Sequence, residues 1–155
     1  MYENMDAHHF YGRHAERATK LKELGFFPRL VDILAVAPLL GFEYSRCADK
    51  DVENKLSSEM PLYQLTKVQA QCELNYKMIM LLDKAYTEDE ELRFKKAFQI
   101  ACDQRAEEDL ERYESYVRGG IDLLYEKLVG SGNTQDERLM ELYDFVESFS
   151  DRYYA

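Results

Sequence analysis

The groups best suited to chemistry are three histidines and several runs of carboxylates. His8, His9 and His14 all lie within the first fourteen residues. On a helix, metal ligands share a face at spacings of three or four. His9 and His14 are five apart, and no nearby cysteine completes a set. That spacing predicts solvated histidines, with no metal centre and no cofactor. Carboxylates cluster at Glu88-Asp89-Glu90-Glu91 and Glu107-Glu108-Asp109. General acid–base work needs such groups in a cleft that shifts their pKa values. On helix exteriors they read as solvated faces. The patterns Glu-x-x-His, Gly-x-Ser-x-Gly, Gly-x-Gly-x-x-Gly and Gly-x-x-x-x-Gly-Lys are absent. No catalytic residue is assigned, and the chain is expected to bind rather than to catalyse.

Two further sets of side chains could serve binding. Arg13, Arg17 and Lys20 follow one another at steps of four and three and so share a helix face. With Lys22 and Arg29 they form a basic patch in an otherwise acidic chain. Pairing with the acidic helices is the favoured reading. The functional alternative makes Arg13, Arg17, Lys20 and Arg29 a nucleic-acid or partner contact. The second set is aromatic: the twelve tyrosines and eight phenylalanines fit a partner surface and scattered surface aromatics about equally. Helical spacing places Tyr76, Phe98, Tyr113 and Phe149 in the core. Tyr2, Tyr11, Tyr63, Tyr116, Tyr125 and Tyr154 fit the apolar stripes less well. Tyrosine suits interfaces because its ring is apolar while its hydroxyl can stay wet. Tyr116, Tyr125 and Tyr154 are the candidate partner surface.

The elements that must position these residues are helical. At 155 residues the chain reads as one domain spanning residues 1–155. It has three prolines, seven glycines and no alternating β-branched run, which disfavours strands. Residues 4–24 read as a weakly amphipathic first helix stopped by Gly25. A second, nearly all-apolar helix starts near Pro28, and Pro38 should kink or end it before Gly41 turns the chain. Residues 42–58 read as a loop with a short helix near 52–56. Ser58 is then the expected cap of a third helix carrying Leu65, Val68, Cys72, Tyr76 and Ile79 at three- and four-residue steps. Thr87 and Glu90 form a capping box opening a helical stretch to about Leu128. Its stripe shifts near Arg105, so it is two helices or one that changes partner. Gly119-Gly120 inside it costs about 1 kcal/mol per glycine relative to alanine, which a close helix approach would explain. Residues 130–133 read as a loop, and a capping box of Thr134 and Glu137 opens the last helix. The expected fold class is all-α, an irregular bundle of five or six helices.

Charge and composition narrow the setting. The formal charge is −10 and the pI about 4.8, which argues against broad binding to DNA. The longest apolar run, residues 30–42, contains Asp32 and Pro38 and is shorter than the roughly 20 residues a bilayer requires. No membrane contact is expected. The opening residues lack the basic and apolar regions of a secretory leader. Three cysteines with no Cys-x-x-Cys pair suit a reduced, cytoplasmic protein.

Two segments carry a family resemblance. Phe27-Pro28-Arg29-Leu30-Val31-Asp32-Ile33-Leu34-Ala35-Val36-Ala37-Pro38-Leu39-Leu40-Gly41-Phe42 resembles the amino-terminal signature of small accessory proteins encoded beside bacterial DNA phosphorothioation systems. Tyr113-Glu114-Ser115-Tyr116-Val117-Arg118-Gly119-Gly120-Ile121-Asp122-Leu123-Leu124-Tyr125 resembles their carboxy-terminal segment. Together they cover under a fifth of the chain, and Pro38 stands where the family has small residues. The resemblance implies a non-enzymatic accessory or regulatory component of an anti-phage defence system based on DNA modification or restriction. Its partner would be a larger protein of the same system, with self-association left open. The alternatives are a DNA-binding regulator using the basic amino-terminal helix face and an acidic inhibitor that mimics DNA.

Overall fold

The computed structural model describes residues 1–2, 6–130 and 134–154. Its elements run β1 (Ala7–Tyr11), α1 (Gly12–Glu23), α2 (Leu30–Glu43), β2 (Ser57–Pro61), α3 (Leu62–Leu82), α4 (Glu90–Phe98), α5 (Glu107–Leu128) and α6 (Gln135–Tyr154). A single 3-10 turn, Cys102–Gln104, precedes α5. The chain is thus mostly helical, with six α-helices in an irregular arrangement and one small sheet among the described residues. No helix among the described residues is long and apolar enough to cross a membrane.

The centre of the molecule is the crossing of α2 on α5. Val31, Ile33, Leu34 and Ala37 of α2 and Tyr113, Val117, Ile121 and Leu124 of α5 are all buried in one hydrophobic core. The two backbones touch where glycines remove the side chains. A Cβ on Gly120 would lie 1.8 Å from the Ala37 carbonyl oxygen, and one on Gly41 would lie 2.1 Å from that of Tyr116. Gly119 faces the turn after α2, where a Cβ would stand 1.9 Å from the Arg46 carbonyl oxygen. The close approach inferred from the Gly119-Gly120 pair is therefore present. Gly41 serves it too, as part of α2 rather than as a turn after it.

Pro38 neither ends nor visibly truncates α2, which continues to Glu43. The proline has no N–H to bond the Leu34 carbonyl. Burial of Pro38 and its neighbours against α5 holds the helix through that gap. α2 opens at Arg29 rather than at Pro28: the Asp32 carboxylate accepts the Arg29 N–H at 3.0 Å.

The amino-terminal segment corrects the helix expected for residues 4–24. Residues 7–11 form β1, antiparallel to β2, with His9 opposite Glu59 and Phe10 opposite Ser58. Phe10 and Met60 are the buried anchors of this ribbon. Gly12, at φ +59°, turns the strand directly into α1 and donates its N–H to the Leu56 carbonyl at 2.8 Å. A side chain there would collide with Asp51. Residues 52–56 are irregular rather than a short helix. Ser58 belongs to β2, so α3 is entered from Pro61 without a side-chain cap.

The stretch from Thr87 to Leu128 is broken, as the shift of its stripe near Arg105 allowed. α4 ends at Phe98, and α5 begins at Glu107 after the 3-10 turn. The cap of α4 is Asp89, whose carboxylate accepts the Leu92 N–H at 2.7 Å, not Thr87. Thr87 is buried instead and accepts from Lys96 Nζ. At α6 the expected box is present: Thr134 Oγ accepts the Glu137 N–H, and the Glu137 carboxylate accepts the Thr134 N–H. Most of the glycine-rich loop before it, residues 131–133, lies outside the described residues.

Candidate interaction surfaces

The basic face of α1 turns inward at one point. Its Arg17 donates to Asp122 of α5 at 2.7 Å, Arg13 approaches the same carboxylate at 3.6 Å, and His14 Nε2 lies 3.3 Å from it. The Arg17 guanidinium also stacks over the Tyr125 ring, 4.9 Å from its centroid. Burial would raise the pKa of Asp122; the His14 hydrogen bond and the charges of Arg17 and Arg13 outweigh it and hold the carboxyl below its ordinary value. A buried acid is stable only when it is paired in this way. Arg13 and Arg17 are thus brought together, in the intramolecular pairing favoured from the sequence. Lys20 is exposed and joins neither. Arg29 stands apart at the start of α2, clasping Asp32 through two side-chain hydrogen bonds.

His14 is buried, contrary to the expectation of solvated histidines. His14 stands four residues before Ala18 and seven before Leu21, on the buried face of α1, so helical spacing was the signal that marks it as facing inward. His9 faces Glu59 across the ribbon at 3.5 Å, and His8 packs on the Tyr2 ring at a tilt, with centroids 4.5 Å apart. Among the described residues no group of three or more His, Cys, Asp or Glu side chains is placed to hold a metal ion.

The three tyrosines singled out for a partner surface separate. Tyr116 is only 4% exposed, so it is not a surface residue. Its hydroxyl donates to Asp83 at 2.8 Å and accepts from Arg112, while Arg112 Nε donates to the same Asp83 carboxylate. This trio, with Tyr116 and Asp83 buried and Arg112 partly so, ties α5 to the end of α3. Tyr125 is half-buried under Arg17, and only Tyr154, at 87% exposure, is open to a partner. Two aromatic positions missed from the sequence are exposed instead. Phe94 and Phe98 of α4 pack on one another with ring centroids 5.1 Å apart, yet remain about half exposed. Their helical spacing reads as a core stripe, but the short α4 turns that stripe outward.

An apolar groove of about 240 Å³ lies between α2, α5, α6 and the residues before α2. Its walls include Phe26 and Phe27, Val36 and Leu40, Leu124 and Leu128, and Val146 and Phe149. α6 forms the outer wall, and none of its described residues is fully buried. Leu142 and Phe145 rest against the body, and Phe149, expected in the core, is only partly buried at the groove, whereas Leu139, Met140, Tyr143, Val146 and Tyr153 stay exposed. A helix that offers a broad apolar face and buries only part of it leaves the remainder for something else.

Compared with known proteins, the chain matches no family model, no curated protein and no solved structure.

Proposed function

We propose that the chain is a non-enzymatic accessory component of a bacterial anti-phage defence system, and that it works by docking on a larger protein of that system. The observation that carries the docking reading is the half-covered α6, whose outward apolar side chains border the groove over Val36 and Leu40. Exposed aliphatic and aromatic residues gathered beside a groove are where protein interfaces form. The setting rests on the two segments that resemble accessory proteins of DNA phosphorothioation systems. The basic residues lend no comparable support to a DNA-binding role, since Arg13 and Arg17 are engaged by Asp122. The acidic-mimic reading is weakened because carboxylates such as Asp83, Asp109 and Asp122 are buried and paired.

The test is co-purification from the native host at physiological salt, with the bound protein identified. A larger protein encoded beside this chain, recovered in stoichiometric amount, is the expected result. A chain that elutes alone, or whose deletion leaves phage resistance unchanged, refutes the reading.

A further inference from the structure

We infer that the groove between α2, α5 and α6 receives a basic amphipathic helix of the partner. This rests on the docking reading and adds the chemistry of what docks. The volume sets the kind of occupant. About 240 Å³ is below the roughly 300–1,000 Å³ of small-molecule pockets, but it accommodates apolar anchor side chains of a helix laid along it. The outer rim supplies a seam for such a helix. Leu139, Tyr143 and Val146 follow one another at steps of four and three and are 56%, 60% and 58% exposed.

Charge then selects the partner. Asp136, Asp144, Glu147 and Asp151 form the neighbouring stripe of α6, and all are exposed. No cation among the described residues lies within salt-bridge distance of any of the four; Arg152 of the same helix pairs with Glu43, at 3.2 Å. An unneutralised acidic border beside an apolar seam is complementary to Lys or Arg flanking an apolar ridge. A second copy of this chain would bring a matching acidic stripe and a net charge of −10 against the same border. Like charges set face to face oppose that association.

The protein contains no tryptophan, so a synthetic Leu/Lys amphipathic helix with one Trp reports its own binding by fluorescence. Two control peptides separate the contributions: Leu/Glu keeps the apolar ridge and inverts the charge, and Ser/Lys keeps the charge and removes the ridge. The Leu/Lys helix should bind at least about tenfold more tightly than either control, a difference of about 1.4 kcal/mol. Val36→Asp combined with Val146→Asp should weaken it about tenfold, whereas Phe94→Asp on α4 should not. Val36 and Val146 are 40% and 58% exposed, so the fold should tolerate both changes. Leu139→Asp alone provides a second variant if circular dichroism shows that the double one is unfolded. Equal binding of Leu/Lys and Leu/Glu, or unchanged binding by the groove variants, overturns the inference. A dimer in sedimentation that Val146→Asp abolishes overturns it in favour of a second copy. If no peptide binds but the neighbouring-gene protein still co-purifies, and Phe94→Asp releases it, this inference fails while the docking function stands.

Discussion

Replacing Gly120 by alanine would add one methyl group where α5 lies against α2. Helix propensity alone favours the change by about 1 kcal/mol. The geometry opposes it. The new Cβ would lie 1.8 Å from the Ala37 carbonyl oxygen and 2.5 Å from its carbon. A carbon and a carbonyl oxygen settle at about 3.3 Å or more, so roughly 1.5 Å must be found. The obstructing atoms are backbone and cannot rotate aside, so the helices themselves must part at the centre of the core. Overpacking typically costs about 1–3 kcal/mol, and a forced backbone displacement belongs at the upper end or beyond. Set against the propensity gain, the expected net loss is about 2 kcal/mol. With a urea m-value of about 2 kcal/mol/M, the unfolding midpoint falls by about 1 M. Far-UV circular dichroism across a urea series reads it directly. Gly25→Ala is the control: nothing lies within 4 Å of its Cβ, and only the φ of +84° opposes the change. A Gly120→Ala midpoint equal to or above that of the wild type would show that the helices do not cross this closely.

Four other outcomes follow from the same packing. Asp122→Ala leaves Arg13, Arg17 and His14 without their shared acceptor and should cost about 3 kcal/mol in a thermal or urea melt; no loss would mean the cluster does not form. Arg105 donates to Glu73 and holds its carboxyl at about 2 instead of 4.5, so this stability is complete above pH 4.5 and lost as pH falls from there toward 2. Glu73→Gln should flatten that acid limb, and an unaltered limb would refute the pairing. Cys72 is buried and its thiol is pushed up to about 12, so Cys47, which is exposed, should react first with a disulfide reagent; the reverse order would contradict the burial. Duplex DNA should show no mobility shift at low salt, and a shift abolished by Arg17→Ala would restore the DNA-contact reading.

The features legible in the sequence are those fixed by local spacing. The buried stripe of α3, the Thr134–Glu137 box and the glycine pair of α5 all rest on neighbours within a few residues. What escaped depends on distant partners. β1 pairs with residues 57–61, about fifty positions away, and a His-His-Phe-Tyr segment carries no alternation strong enough to announce it. Tyr116 is buried because Asp83 receives its hydroxyl, and that acid does not differ in the sequence from one on a solvated face. Pro38 misleads for the same reason: the local rule ends a helix there, and packing on α5 overrides it. At the candidate site, Tyr154 is exposed as expected and Arg13 and Arg17 converge. The groove itself could not be read, because its walls come from four separate parts of the chain.

The glycine contacts of α2 and α5 bear on how the groove can adapt. Where main chain rests on main chain there are no rotamers to rearrange, so these two helices can only travel together, as a single stiff floor. α6 has no such anchorage. A guest in the proposed groove would therefore be fitted by tilting or sliding of α6, with the α2–α5 floor held fixed.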